Sequence, residues 1–350
     1  MFLPLPVGIR DAEMALTHEI LSSLHLADKI GAWGTLGTIR PLKSFDQDFA
    51  VEKLAESLET KGNRQLISDI VTSLNNDQRQ EVIKLYKDST QQDLVAKVQK
   101  SLSGDLEKAI VGLLKTPAAY DAQELRASMK GLGTDEATLT EILCTRTNTQ
   151  LREIQEIYKQ EYKTDFEKNI ISDTSEPYTG LLLALAKGKR EKDAGIIDYA
   201  LIQQDSKVLT ALGPKNSPNS DIWIRILSER SLGHLRRVFD QYSNDNSMGI
   251  EDSIKKYFKG DFQKAALTLV AVIKNTALYF ADKLHNAMKG LGTDENTISR
   301  VLISRSETDL LSIRVAYRRK YGKSLYSSLQ SEVKGDLQAC LLSLCRAEDL

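Results

Sequence analysis

The eight residues MKGLGTDE occur twice in the chain, at Met129–Glu136 and at Met288–Glu295, and their composition suits a loop that binds a cation. The two glycines of each copy permit positive φ, so backbone carbonyl oxygens can turn outward instead of bonding within a helix. Carbonyl and carboxylate oxygens are the ligands of Ca²⁺, which takes roughly six to eight of them in irregular geometry. Outward carbonyls in such a loop therefore form part of a calcium site that still needs a carboxylate.

Each copy of this loop is followed at one fixed distance by an acidic residue. Asp173 lies 44 positions after Met129, and Glu332 lies 44 positions after Met288. A calcium site shared between a loop and a distant segment requires such a carboxylate at a constant offset. The alternative is a plain helix-connecting turn, whose glycines are helix caps and whose two acidic residues cap the helices that follow.

The loops belong to a larger repetition of four units. A helix start related to KGD recurs with steps of 72, 84 and 75 residues, and a second marker that contains an arginine recurs with the last two of these steps. The helix starts lie at Ser103, Ser175, Lys259 and Lys334, and the arginines are Arg146, Arg230 and Arg305. Two markers in one register indicate a fourfold repeat. We expect the arginines to bond nearby backbone carbonyls; contact with lipid or nucleic acid is the alternative.

The first and third units lack both halves of the predicted site. The first has LETKGNRQ from Leu58 with Ser101 at the acidic position, and the third has GPKNSPNSD from Gly213 with Tyr257 there. The loop and the carboxylate are both absent from units one and three and both present in units two and four, as expected for ligands of one ion. The intact loop has no GK[ST] ending, no final glycine of a dinucleotide fingerprint and no EF-hand spacing, so those nucleotide and metal sites are excluded.

The apolar residues recur at helical intervals, for instance between Leu151 and Tyr158, and no stretch alternates as a strand does. Each unit is therefore predicted to hold about five short helices, and the predicted fold class is all-α. Within the loop, we expect Thr134 to cap the next helix, with Asp135 and Glu136 in its first turn.

The composition is that of a globular protein without a strong overall charge. Over 350 residues, 47 basic side chains face 48 acidic ones, so no global field attracts nucleic acid or anionic lipid. Cys144, Cys340 and Cys345 lie in apolar helical patterns without metal-ligand spacing, which predicts buried small side chains. The longest apolar stretch, from Ala265, is interrupted by Lys274 and is predicted not to cross a membrane.

The combination of these motifs resembles the annexin family. Four repeats of this length, the K-G-x-G-T loop with its late acidic residue and the recurrent KGD helix start carry the resemblance, over roughly residues 46 to 350. It implies five-helix right-handed repeats that form a slightly curved disc with calcium loops on its convex face. Within the family the likeness is strongest to annexin subfamily nine, from stretches such as GAWGTLGTIR and LCRAEDL, with annexin two next.

The resemblance also implies the ligands of each intact loop. Loop carbonyls join the later carboxylate around Ca²⁺, and phospholipid headgroups complete the coordination. The implied ligands are Met129, Gly131, Gly133 and Asp173 in repeat two, and Met288, Gly290, Gly292 and Glu332 in repeat four. Secondary metal positions are implied at Thr134 with Glu136 and at Thr293 with Glu295.

The repeats predict a domain organisation with a separate leader. The leader covers residues 1–45, and the repeats cover 46–117, 118–190, 191–275 and 276–350. The pattern from Asp11 to Ala27 predicts an amphipathic helix. By resemblance to annexin two, residues 12–26 are a candidate binding segment for an EF-hand-type protein; packing onto the core and a frayed tail are the alternatives.

These observations predict reversible, calcium-dependent binding to anionic phospholipid membranes through repeats two and four. Bound Ca²⁺ would reverse the charge of the loops and leave positions open for headgroup oxygens. The alternative is a calcium-independent intracellular scaffold or adhesion-associated protein that keeps its loops as turns. The four histidines are scattered and no nucleophile constellation is identifiable, so we expect no enzyme and no nucleic-acid partner. The opening MFLPLPVGIR is a poor signal peptide, so a cytoplasmic protein, peripheral on membranes, is expected.

Overall fold

The structure, a computed structural model, describes residues 36–59, 63–131, 133–211, 218–290 and 292–346. The predicted leader helix and the candidate EF-hand-binding segment, residues 12–26, lie outside these residues. Within the described ranges all regular structure is helical, so the predicted all-α class is confirmed.

Repeats one and two each contain five helices, as predicted. Repeat one comprises α1 (Gln47–Glu59), α2 (Arg64–Ser73), α3 (Asn76–Thr90), α4 (Leu94–Ser101) and α5 (Gly104–Leu114). Repeat two comprises α6 (Pro117–Ser128), α7 (Glu136–Thr145), α8 (Asn148–Tyr162), α9 (Phe166–Asp173) and α10 (Tyr178–Ala186).

Repeats three and four share one long helix that bends between them. Repeat three begins with α11 (Tyr199–Thr210), α12 (Ser220–Glu229), α13 (Leu232–Asp245) and α14 (Ile250–Tyr257). The shared helix is α15 (Gly260–Ala287), and repeat four continues with α16 (Glu295–Arg305), α17 (Leu310–Tyr321), α18 (Leu325–Glu332) and α19 (Gly335–Cys345).

Helix α15 is interrupted by a bend, and most of its apolar residues are buried in the protein core. Of the described helices, α15 alone is long and apolar enough to cross a membrane by length and composition. Asn275 has a non-helical φ of −160° and ψ of 98°, and its side chain accepts a hydrogen bond from the Leu278 amide at 2.9 Å, as an N-cap does. The straight part before the bend is about 22 Å long, short of the ~30 Å hydrocarbon core of a bilayer. Buried Leu269 and Ile273 place it in the protein core.

The chain forms two compact units. One contains the described residues up to 120 together with those from 280, and the other contains residues 121–279. In the first unit, α19 packs on α2 and α16 packs on α5, and the Ile39 amide donates to the Ser306 carbonyl at 3.0 Å. In the second unit, α11 packs on α13 and α10 on α12, with the buried Trp223 ring 5.3 Å from Phe258. The three cysteines are buried and free, as predicted.

The recurrent arginines bond carboxylates of their own repeats, a partnership that was not predicted from the sequence. The Arg146 guanidinium donates to the two carboxylate oxygens of Asp121 at 2.6 and 2.8 Å, and both side chains are buried. Arg230 makes the same fork with Asp205 at 2.8 and 3.3 Å. A buried charge needs an opposite charge, and a carboxylate matches the planar guanidinium with two parallel bonds, which a single carbonyl cannot do.

The third arginine keeps its place but changes its partner. The position that holds aspartate 25 residues before Arg146 and Arg230 is Phe280 in repeat four. Arg305 instead bonds Asp309, one turn further on, at 2.7 Å to each oxygen, and its guanidinium lies 4.9 Å from the Phe280 ring centroid. The arginine is therefore neutralised within each of these three repeats, by an aspartate 25 residues earlier in repeats two and three and by one four residues later in repeat four.

Candidate calcium-binding loops

The loop of repeat two has an open backbone that only glycine adopts easily. It runs from the end of α6 to the start of α7 and is closed by the Asp135 amide, which donates to the Ser128 carbonyl at 2.8 Å. Gly131 has φ of 118° and Gly133 has φ of 98°, and no atom lies within 4 Å of the place where a Cβ would stand at either glycine. The glycines therefore serve the backbone conformation and not close packing.

The loop of repeat four repeats this geometry. The Asp294 amide donates to the Ala287 carbonyl at 2.8 Å, and Gly290 and Gly292 have φ of 117° and 157° with the same open surroundings. Met129 and Met288, which begin the two loops, are buried to 9% and 7% exposure and fix each loop to its core. The identical sequences thus share the closing hydrogen bond and the conformation of the first glycine, while φ of the second glycine differs, at 98° for Gly133 and 157° for Gly292.

A hydrogen bond joins each loop to the acidic residue that follows it at a distance of 44 positions. The Thr134 hydroxyl donates to the Asp173 carbonyl at 3.1 Å, and the Thr293 hydroxyl donates to the Glu332 carbonyl at 3.2 Å. Asp173 is the last residue of α9, and Glu332 is the last residue of α18. The structure therefore places each predicted carboxylate residue beside its predicted loop.

This bond also corrects the expected role of Thr134. The cap of α7 is Asp135, whose carboxylate accepts from the Thr138 amide at 3.0 Å, and Asp294 caps α16 through the Thr297 amide at the same distance. The helix begins one residue later than predicted, at Glu136, so aspartate takes the capping position. The threonine hydroxyl is left to bridge the loop to the end of α9.

The two carboxylates do not cap the helices that follow them. Helix α10 has Pro177 and helix α19 has Lys334 at the N-cap, and neither residue makes a side-chain cap bond. Each carboxylate instead accepts from the serine before it: Ser172 to Asp173 at 2.9 Å, and Ser331 to Glu332 at 3.1 Å. Sequence reasoning missed these serines, although a serine precedes the acidic residue in both repeats.

Repeat one shows how the site is changed where the acidic residue is missing. The Ser101 hydroxyl, at the position of the carboxylate, donates to the Leu58 carbonyl at 3.4 Å. Leu58 corresponds to Met129, which begins the intact loop. A weak bond between protein groups thus joins the two positions that Ca²⁺ would bridge in repeats two and four. The loop residues 60–62 of repeat one and 212–217 of repeat three lie outside the described chain.

At the candidate secondary position of repeat four, the carboxyl group of Glu295 contacts a second carboxyl group. Glu136 and Glu295 are the first residues of α7 and α16. Burial and a hydrogen bond with the Asp105 carboxyl raise the pKa of Glu295. Asp105 bonds Lys108 at 2.8 Å, and this bond lowers the pKa of Asp105. A secondary cation in repeat four would have to compete with this network.

The donor set fits a hard cation that accepts irregular geometry. In the described ranges, no three His, Cys, Asp or Glu side chains cluster to hold a metal, so a site here draws on backbone carbonyls and one carboxylate. Such all-oxygen sets suit Ca²⁺, whereas zinc prefers nitrogen and sulfur. Left-handed glycines, a closed loop and a carboxylate residue tied to it by a hydrogen bond are the features that make this fit.

Repeated all-α units with loops of this kind are those of the annexins. The annexin family model matches residues 49–113, 120–185, 205–269 and 279–344, and the chain belongs to this family. It is 45% identical to annexin A9 of Mus musculus over 96% of this chain and 97% of that protein, and 46% identical to annexin A9 of Homo sapiens with the same coverage. The predicted likeness to subfamily nine is thereby confirmed.

Solved annexin structures agree with the fold. Annexin III superposes with a TM-score of 0.87 at 37% identity and covers 89% of this chain and 98% of its own. A calcium-bound annexin (Sm)1 superposes with a TM-score of 0.79 at 28% identity, covering 88% of this chain and 92% of its own. The four-repeat architecture predicted from sequence is thus confirmed by relatives of known structure.

Proposed function

We propose that this annexin binds anionic phospholipid membranes reversibly and in a calcium-dependent manner, through the loops of repeats two and four. The observation that carries the proposal is the pair of hydrogen bonds from Thr134 to Asp173 and from Thr293 to Glu332, which join loop and carboxylate residue in both repeats. The proposed ligands are Met129, Gly131, Gly133 and Asp173, and Met288, Gly290, Gly292 and Glu332.

The chain's own groups supply the negative half of each site. The positive φ of the glycines frees loop carbonyl oxygens to bind the ion, and the threonine bond to the Asp173 backbone holds the carboxylate residue beside the loop. Without a cation these oxygens repel phosphate, and a net charge of −1 gives no compensating attraction. Ca²⁺, when bound, supplies positive charge and open coordination positions for headgroup oxygens. Ion and lipid then raise each other's affinity by linkage.

Calcium-dependent phospholipid binding is typical of annexins, and annexin (Sm)1 has been solved in a calcium-bound form. Two loops instead of four predict lower avidity and a higher calcium demand than in a fully loaded relative. Thr134 with Glu136 and Thr293 with Glu295 stay candidates for secondary metal positions. The cytoplasmic, membrane-peripheral location, the lack of enzymatic activity, the repeat boundaries and the EF-hand-type partner of residues 12–26 also stay predictions.

Co-sedimentation with vesicles that contain phosphatidylserine tests the proposal, at an ionic strength of about 0.15 M, where surface charges are well screened. The wild type should sediment with calcium and be released by chelator, and the double variant D173N/E332Q should lose the calcium-dependent fraction. A matched control, D88N/E153Q, changes the same charges on exposed residues of α3 and α8 and should behave as the wild type.

Two outcomes would count against the proposal. Retention in chelator at this ionic strength would favour the calcium-independent scaffold. Unchanged calcium-dependent binding by D173N/E332Q would mean that calcium acts through other residues.

A further inference from the structure

In each of the four repeats, one helix ends at the position that holds the acidic residue in repeats two and four. This helix end, with the residues next to it, is called the corner of the repeat. Helices α4, α9, α14 and α18 are each eight residues long, and their last residues are Ser101, Asp173, Tyr257 and Glu332. The two repeats that lack the acidic residue therefore still build the same helix end. What changes between repeats is the charge carried there.

The charge at this corner reverses where the carboxylate is missing. In repeat three, residues 251–264 carry four lysines and three carboxylates, a formal charge of +1. The aligned residues 167–180 of repeat two carry one lysine and three carboxylates, and residues 326–339 of repeat four carry one lysine and two carboxylates. Repeat one, over residues 95–108, is again +1, with three lysines and two carboxylates. Loss of the calcium ligand thus coincides with a gain of positive charge.

Repeat three concentrates this charge around one half-buried aromatic residue, Tyr257. Lys255, Lys256 and Lys259 are exposed, and the Lys256 ammonium lies 5.0 Å from the Tyr257 ring centroid. Lys255 has only a loose ion pair with Asp252, at 3.6 Å. Phe258, between them, is buried against Trp223 and anchors the segment to the core. The three ammonium groups therefore lie at or just after the end of α14 and are open to solvent.

We propose that the corner formed by Lys255, Lys256, Tyr257 and Lys259 binds the headgroups of anionic phospholipids directly, without calcium. The proposal rests on the proposed membrane binding, because it assigns to repeat three the task that calcium performs at the equivalent corner of repeats two and four. In those repeats the ion reverses a negative charge, whereas in repeat three lysines supply the positive charge permanently. Repeat three would thus bind the membrane without calcium, and would not merely be a repeat that has lost its calcium site.

A lipid surface suits this corner better than a soluble phosphate does. Lysine ammonium groups on flexible stems are point charges without the fixed fork that recognises one phosphate, but several of them attract a surface of many phosphates. Tyrosine is enriched at the headgroup level of membranes, where its ring and its hydroxyl meet apolar and aqueous surroundings. The equivalent position in the calcium-loop repeats is also where the headgroup is proposed to bind.

The test is vesicle binding in chelator at low ionic strength, about 0.02 M, where surface charges are weakly screened. The probe is a phosphatidylserine-containing vesicle, with a phosphatidylcholine vesicle as the neutral comparison. One lysine near an anionic surface contributes about fivefold in binding, so K255Q/K256Q/K259Q should bind at least about tenfold more weakly than the wild type. The charge-retaining variant with arginine at the same positions should bind as the wild type, and so should K84Q/K87Q/K159Q, which neutralises three exposed lysines of α3 and α8.

The outcomes separate this inference from the proposed function. Equal binding of K255Q/K256Q/K259Q and the wild type in chelator, or no wild-type binding there, overturns the inference and leaves the calcium sites untouched. A missing calcium increment at about 0.15 M salt overturns the proposed function whatever the lysine variants do. The lipid assignment is also overturned if millimolar inorganic phosphate displaces the protein from the vesicles as effectively as an excess of competing anionic vesicles does. Tighter binding of the protein to a single-stranded RNA than to vesicles overturns it as well.

Discussion

The Thr134 hydroxyl donates to the Asp173 carbonyl at 3.1 Å, and Thr293 makes the same bond to Glu332 at 3.2 Å. Each bond crosses from the glycine loop to the end of a helix that lies more than thirty residues further along the chain. It fixes the distance between the two halves of the proposed calcium site before any ion binds. Preorganisation of this kind lowers the entropic cost of ligand binding.

Removal of this bond should weaken calcium binding without unfolding the protein. In T134V/T293V the hydroxyl is replaced by a methyl group of similar size, and one hydrogen bond of about 1 kcal/mol is lost in each site. We expect the calcium concentration for half-maximal vesicle binding to rise about fivefold, as measured by a calcium series in co-sedimentation. T134S/T293S keeps the hydroxyl and is the control, and an equal shift in both variants would contradict the role of the bond.

The buried ion pair of repeat two should contribute strongly to stability. Asp121 and Arg146 have side chains only 5% and 2% exposed, so D121N leaves a buried guanidinium without its counter-charge. Breaking such a pair costs about 3–5 kcal/mol, and we expect a clear fall in Tm and in the denaturant midpoint by circular dichroism.

An exposed pair provides the comparison for that variant. Lys53 and Glu56 bond at 2.8 Å with side chains 31% and 57% exposed, so E56Q should leave Tm and the denaturant midpoint close to those of the wild type. If D121N were as mild as E56Q, water or another group would have to neutralise Arg146.

The carboxyl pair of Glu295 and Asp105 predicts a pH-dependent difference in stability. Burial and the contact with Asp105 raise the folded-state pKa of Glu295, so its contribution to stability is present below the unfolded pKa and is lost as pH rises through the folded pKa. In chelator, E295Q should therefore melt at a higher temperature than the wild type near pH 7, and the difference should shrink towards about pH 4. Tm measured by fluorescence over a pH series decides this, with E153Q as an exposed control; a constant or reversed difference would refute it.

The loops and their acidic partners could be predicted from sequence because repetition supplies an internal comparison. Asp173 and Glu332 share one offset from an identical loop. Repeats one and three provide the contrast, because they have Ser101 and Tyr257 at the acidic position and altered loops as well. The cap was misplaced by one residue because Thr134 and Asp135 are both good N-caps and only the backbone distinguishes them. The bridging role of the threonine depends on a tertiary contact that no local pattern encodes.

The carboxylate partners of the arginines could be predicted from the sequence only in part. Asp121 and Asp205 both lie 25 residues before their arginines, a register that the repeat alignment contains. Repeat four breaks this register with Phe280 and uses Asp309, so a search across all repeats would have found no constant partner. Burial, which requires a charged partner in place of a carbonyl, became visible only in the structure.

The cysteines should be unreactive in the folded protein. Burial raises the pKa of Cys144 and of Cys340 to about 12, so almost no thiolate is present near pH 8. We expect native protein to react with a maleimide at Cys144 and Cys340 at least about a hundredfold more slowly than protein unfolded in guanidinium, followed by mass spectrometry. Rapid native labelling of either residue would indicate local opening of its helix.

Repeat two should bind calcium more tightly than repeat four, because the surroundings of the two carboxylates differ. The Lys334 ammonium donates to the Ser331 carbonyl at 2.7 Å, and the Lys323 ammonium donates to the Ser331 hydroxyl at 3.1 Å, so two positive charges lie beside Glu332. Glutamate also has one more rotatable bond to order than aspartate has, and Glu332 is exposed while Asp173 is half-buried.

Single-site variants separate the two affinities. E332Q keeps the proposed site of repeat two and D173N keeps that of repeat four, and calorimetric calcium titration in the presence of phosphatidylserine vesicles measures each. We expect E332Q to bind at least about threefold more tightly than D173N, since a nearby surface charge is worth up to ~1 kcal/mol. The variant K323Q/K334Q, made in the D173N background, should recover most of the difference. A tighter site in repeat four, or no gain from removal of the two lysines, would show that local charge does not rank the two loops.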